Sequence, residues 1–327
     1  CRVVAGHRGR FFVHVRSESD RVLEATEEVL EVSRRSGVHL HYSHIKTAGR
    51  TNWDKAGRIL EMVDDYRRRG VTVSADVHPY TAGSTTGQVL LPPWVLEGGV
   101  DEALGRLAEP AVRARVREQL LTDTTSWDNW WAFSDGWDGL RVAGARRNPE
   151  VVGLSFAEVV AAAGVSDPHS PAAFDVVFDL LAGEALALSL VSFNNVEANV
   201  ARFMSQPYCT IGSDALVNPG GQPHPRLYGT FPRVLGRFVR ELRTLALPEA
   251  VQAMTVRAAS AIGREDLGVL APGRVADLVL FDPSEVADRA TYEEPRLPPA
   301  GVDRVWVGGH PAVVGGELVS GVPASGG

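Results

Sequence analysis

The chain has 327 residues, 44% of them hydrophobic, enough for one large α/β domain and a smaller module. No stretch of about 18 or more apolar residues occurs, and no basic segment leads into an apolar run at the start, so neither a membrane helix nor a signal peptide is expected. The net charge of −7 is scattered and argues against nucleic acid as a partner; two cysteines, Cys1 and Cys209, are too few for a disulfide framework and fit a reducing cytoplasm.

In chain order, the opening at Cys1 reads as mid-domain sequence without an initiating Met, the mark of a partial chain. Residues 10–14 form a short apolar run, a buried strand. Residues 17–37 predict a helix with acidic residues in its first turn and Arg34 and Arg35 near its end, the charge order a helix dipole favours. Residues 38–44 are the next strand. Residues 54–69 carry Ala56, Ile59, Leu60, Val63 and Tyr66 at helical spacing, and Gly70 is the stop signal. Residues 71–78 are a third strand, so the order is βαβαβ, the pattern of a parallel sheet wrapped by helices. About 87–190 lies a less regular stretch with helical patches near 101–121 and 155–164 and four tryptophans, Trp127, Trp130, Trp131 and Trp137. It reads as an insertion over the top of a barrel or as a lid over the substrate. Residues 208–211 are a further strand running toward Asp214, and helices follow near 231–246 and 248–263. From Leu267 the texture changes to short β runs at 276–281, 302–307 and 312–319 between Gly/Pro turns, with 322–327 a frayed end.

Three residues with metal-ligand chemistry end predicted strands. His14 and His44 lie one βαβ unit apart, which in a (β/α)8 barrel places both on the catalytic rim at the C-terminal ends of neighbouring strands; Asp214 ends a later strand. Imidazoles and a carboxylate converging there suit zinc or a related divalent ion. Strand alternation sorts the neighbours. Val38, Leu40, Tyr42 and His44 share one face, which puts His39 and His41 on the other, toward helices or solvent, as structural residues. In residues 71–78 the face covered by helices is Val71, Val73, Ala75 and Val77, so Ser74, Asp76 and His78 point inward. The Asp76–His78 pair is either a buried polar network or part of the site. Cys209 falls on the opposite parity from Asp214 and reads as core, and His7, His169 and His310 sit in loops with no assigned role.

The stretches Val13-His14-Val15-Arg16-Ser17-Glu18, Ser43-His44-Ile45-Lys46, Asp76-Val77-His78-Pro79-Tyr80 with Gly83-Ser84-Thr85, and Ile211-Gly212-Ser213-Asp214 resemble, in order and spacing, the N-acyl-D-amino-acid deacylase (D-aminoacylase) family of the amidohydrolase superfamily. So do residues 224–233, from His224 to Arg233, and the run 268–282 (GVLAPGRVADLVLFD), which is similar to an amidohydrolase C-terminal β-sandwich. The resemblance covers nearly the whole chain. It implies a partial metal-dependent-hydrolase (β/α)8 barrel over residues 1–265, lacking its first strands and carrying the insertion at about 87–190, and a C-terminal β module over 266–327.

The resemblance further implies that His14 and His44 bind zinc, that Asp214 is the catalytic acid/base near the metal, and that Lys46, His78, Ser84 and Arg226 bind substrate. The substrate class is small N-acyl-D-amino acids, whose amide is hydrolysed to a carboxylate and a D-amino acid. The family usually has Tyr where this chain has His78; an imidazole there would still donate a hydrogen bond, and its protonation would add pH dependence. The family's His-x-His and bridging Cys lie upstream of Cys1, which leaves this chain alone expected to bind metal weakly and to turn over little. The rival readings are another amidohydrolase, dihydroorotase-like or dipeptidase-like, and a truncated non-catalytic product.

Overall fold

The computed structural model describes residues 1–217 and 221–319; the expected frayed end at 322–327 lies outside them. The strands in chain order are β1 (Arg10–Val13), β2 (His39–Tyr42), β3 (Val73–Val77), β4 (Ala82–Thr86), β5 (Leu140–Gly144), β6 (Ser189–Phe193), β7 (Cys209–Ile211), β8 (Leu278–Phe281), β9 (Val302–Val307), β10 (His310–Val314) and β11 (Glu317–Leu318). They form three sheets: a parallel one in the order β1-β2-β3-β7, an antiparallel one in the order β4-β6-β5, and an antiparallel one in the order β11-β10-β9-β8.

The parallel sheet follows from two amphipathic helices. Val22–Ser36 buries Val22, Ala25, Val29 and Leu30, and ends at Gly37, whose φ of 73° lets its N–H reach back to the Ser33 carbonyl. Ala56–Arg68 buries Ala56, Ile59, Val63 and Tyr66. Both stripes meet Leu40, Tyr42, Val73, Ala75 and Val77 in one core with Phe203, Val234 and Phe238. Complete burial of a side chain such as Leu40 or Ile59 contributes about 1.5–3 kcal/mol.

Two expectations are corrected here. The first helix begins at Val22, not near residue 17, so residues 14–21 are a loop that turns Glu18 inward. The faces of β2 are also the reverse of the expected ones. Register pairs Leu40 with Val73, His41 with Ser74 and Tyr42 with Ala75. In-register residues of parallel strands point to the same side, so Leu40 and Tyr42 go to the helices while His41 joins Ser74 and Asp76 on the inner face. His44 escapes the alternation because it lies beyond the strand, at a φ of 38°.

The stretch expected to be irregular contains a sheet and a second core. β4 and β6 bracket it and pair along their whole length, from Ala82 opposite Phe193 to Thr86 opposite Ser189. Beneath them Trp131, Trp137, Phe156, Phe174 and Phe178 pack with Leu140 and Leu190. β4 reads Ala-Gly-Ser-Thr-Thr and lacks an apolar alternation, which is why no strand is predicted there. At the C-terminal end the expected strand 312–319 is a hairpin. Gly315 and Gly316, at φ 62° and 80°, supply the left-handed residues of a two-residue turn between Val314 and Glu317.

Candidate metal centre

His14 follows β1 directly, and its Nδ1 lies 3.1 Å from Nε2 of His44. That separation is close to the roughly 3.3 Å expected between two nitrogens on one tetrahedral zinc at Zn–N of about 2.0–2.1 Å. The other nitrogen of His44, Nδ1, lies 2.9 Å from Glu18 Oε1, and the same oxygen is 3.6 Å from His14 Nδ1. Lys46 Nζ lies 2.5 Å from that carboxylate oxygen and 2.6 Å from His44 Nδ1. When His44 donates its Nδ1–H to Glu18, its Nε2 lone pair points at the space it shares with His14.

Glu18 is buried, which by itself would raise its pKa. The Lys46 ammonium, the hydrogen bond with His44 and the two imidazoles outweigh burial and hold it well below the usual carboxylate range. Two imidazoles and a carboxylate within 4.8 Å of one another are a donor set that fits a zinc-type ion. Glu18 sits nearer to the back of His44 than to the shared space, a position that orients His44 rather than one that completes a ligand shell.

Holding His44 in a left-handed conformation costs a non-glycine residue about 1–2 kcal/mol. The inner-face network offsets it. Asp76 Oδ1 accepts the His44 backbone N–H at 3.0 Å, and Asp76 Oδ2 is 2.8 Å from His41 Nε2. Ser74 Oγ then joins His41 Nδ1 at 2.8 Å and His39 Nε2 at 2.9 Å. Asp76 thus pairs with His41 and not with His78.

Asp214 also has positive φ, 47°, and lies beyond the end of β7. It shares with Phe12, His14, His44, Asp76 and Gly212 a cleft of about 440 Å³. Its Oδ2 is 2.9 Å from Nη1 of Arg226, whose side chain is only 1% exposed against 35% for Asp214. The guanidinium N–H vectors miss the carboxylate, so among the described residues none of the three Arg226 side-chain nitrogens completes a directed hydrogen bond. The guanidinium is thus buried with the half-buried Asp214 carboxylate as its ion-pair partner.

His224 anchors Arg226. Its Nε2–H donates to the Ala82 carbonyl at 2.9 Å, leaving Nδ1 to accept the Arg226 backbone N–H at 3.0 Å. His78 is buried with neither ring nitrogen hydrogen-bonded among the described residues. Burial, then the charges of Arg226 and Lys46, push its pKa well below the ordinary histidine value. Burial there disfavours the charged form of the ring. Ser84 lies on β4 opposite Val191, and no hydrogen bond or ion pair among the described residues links it to the other predicted site residues.

The amidohydrolase family model matches residues 154–313. N-acyl-D-glutamate deacylase of Alcaligenes xylosoxydans xylosoxydans is 34% identical over 94% of this chain and 52% of its own length, and D-aminoacylase of the same organism is 32% identical over 95% and 53%. The crystal structure of N-acyl-D-glutamate deacylase from Bordetella bronchiseptica, complexed with zinc and a phosphonate inhibitor, superposes with a TM-score of 0.75 at 32% identity, over 99% of this chain and 56% of that one. The chain belongs to the amidohydrolase family. It spans about half the length of the curated relatives it matches.

In this amidohydrolase chain the fold brings His14, His44 and Lys46 into direct contact and Asp214 into the same cleft, with Arg226 behind Asp214. Glu18 has no expected role, since by sequence it is an acid at the start of a helix, and His41 is expected to face outward. The spacing of His14 and Glu18 within one short motif was the available signal for Glu18; nothing local marks His41, whose side follows from β-sheet register.

Proposed function

We propose that the protein carrying this chain hydrolyses the amide bond of N-acyl-D-amino acids, a small-molecule reaction with zinc as the cofactor. The observation that carries the reading is a zinc-type donor set and a buried guanidinium on either side of one carboxylate, Asp214. His14 and His44 would hold the ion, which when bound supplies Lewis-acid polarisation of a carbonyl and a water of lowered pKa. Glu18 and Lys46 both contact Nδ1 of His44 and orient its ring, and Lys46 neutralises Glu18. Arg226 takes the α-carboxylate of the substrate in its fork. Asp214, between the donors and the fork, accepts the proton of the attacking water and returns it to the departing amine. His78, with both nitrogens free, donates a hydrogen bond in the same space, and Ser84 on β4 belongs to the substrate wall.

The corresponding division of the chain is a barrel-type body over 1–265 with its insertion at about 87–190, and a β module over 266–327. No helix among the described residues is long and apolar enough to cross a membrane. With Cys1 and Cys209 both unpaired, we place the protein in a reducing cytoplasm, without nucleic-acid partners.

The test is release of free amino acid from N-acetyl-D- and N-acetyl-L-amino acids by the protein that carries the chain, with zinc per protomer measured alongside. D-selective turnover is expected, and Asp214→Asn should lower it by roughly 10²–10⁴ while zinc content stays near wild type. Equal rates on both enantiomers, or turnover unchanged in Asp214→Asn, overturn the reading.

A further inference from the structure

The Trp-rich segment reaches the metal centre through one residue. Asp128 Oδ1 accepts the hydroxyls of Ser17 at 2.7 Å and Ser19 at 2.6 Å, and its Oδ2 accepts the Glu18 backbone N–H at 2.8 Å. Three donors on consecutive residues converge on one carboxylate some 110 positions away in sequence. Ser17 and Ser19 are buried, so their hydroxyls have little water to fall back on.

Asp128 is itself held in place. The adjacent Asn129 is buried; its Nδ2 donates to the Leu120 and Asp123 carbonyls, both at 2.8 Å, and its Oδ1 accepts the Ala132 N–H at 3.1 Å. Trp127, Trp130 and Trp131 pack into the second core on either side. The carboxylate therefore projects from a rigid base. Residues 14–21 contain no helix or strand, and that loop carries the Glu18 carboxylate, which touches His44, Lys46 and His14. A free loop of this kind would sample many conformations; the clamp leaves it few.

We infer that Asp128 is a positioning residue for the metal centre: it fixes the Ser17–Ser19 turn, so that the Glu18 carboxylate faces the back of His44. The inference rests on the reading of His14, His44 and Glu18 as a metal centre. It gives the Trp-rich segment a role in holding the site, beside the expected one of a cover or a lid.

The experiment is zinc affinity, measured by competition with a chromophoric chelator, together with the visible absorption spectrum of the cobalt(II)-loaded protein. Asp128→Ala should weaken zinc about 10–100-fold and alter the cobalt spectrum, as loss of an outer partner does. Ser17→Ala with Ser19→Ala removes two of the three donors without touching the Trp-rich segment, and should reproduce part of the fall. Asp135→Ala, which breaks an exposed ion pair with Arg50 nearby on the same segment, should leave both readouts unchanged. If Asp128 acts through Glu18, adding Asp128→Ala to Glu18→Gln should weaken zinc no further. Wild-type protein that binds no zinc overturns the metal centre and the inference with it. Wild-type protein that binds zinc while Asp128→Ala binds as tightly with the same cobalt spectrum overturns the inference alone. So does an equal loss in Asp135→Ala.

Discussion

Arg226→Met separates stability from function at one position. The guanidinium is 1% exposed, and its one counter-charge is Asp214, which remains 35% exposed. Burying an ion costs several kcal/mol even after relaxation. A partly hydrated partner returns little, about 0.2–1 kcal/mol for exposed pairs. The residue is also the first of the helix Arg226–Arg233, where a positive charge opposes the dipole by about 0.3–1 kcal/mol. Methionine fills similar volume and keeps the backbone N–H that donates to His224. The variant should therefore unfold in urea with a free energy about 1–4 kcal/mol higher than wild type, at an unchanged m-value. The same change should weaken N-acyl-D-amino acids by about 2–5 kcal/mol, with far less effect on their esters or amides. A destabilised variant would show that the fork is satisfied in the resting protein. Equal weakening of acids and esters would remove the carboxylate assignment.

Two further predictions concern the network behind His44. His39 has its pKa pulled down from 6.5 to about 4 by burial and by the nearby charges of Arg10, His41 and Arg67. Between those values the unfolded chain takes up a proton that the folded chain refuses, so stability falls as pH drops from 6.5 toward 4. His39→Gln should reduce that loss by about 1 kcal/mol, since the half-exposed ring screens the full linkage; identical pH slopes in urea titrations would refute it. A Cβ at Gly212 would stand 2.5 Å from Asp76 Oδ1, the oxygen that holds the His44 N–H. Gly212→Ala should destabilise by about 1–3 kcal/mol and weaken zinc together, and a variant with unchanged zinc affinity would show that Asp76 does not set His44.

Local chemistry sufficed for much of the site. His14 and His44 stood out because each follows a short apolar run at the repeat a βαβ unit produces, Asp214 because it follows a later apolar run, and the helices behind the two histidines carry strong 3.6-residue periodicity. Gly37 and Gly70 marked helix ends because only residues tolerant of positive φ belong there. The family motifs added Arg226, which no periodicity singles out.

The rest was decided by contacts between distant segments. Whether His41 faces inward depends on which residue of β3 lies beside it, and a single strand carries no record of its neighbour's register. Glu18 joined the centre because the chain between His14 and Val22 did not continue as helix, and that loop is bonded to Asp128, more than 100 residues on. β4 has too little apolar pattern to be read alone and exists because β6 pairs with it throughout. Short-range steric and solvation preferences leave their period in the sequence, so the elements and strand-end ligands could be read there. Hydrogen bonds across the fold leave no such period, and only the folded chain shows which carboxylate turns toward which histidine.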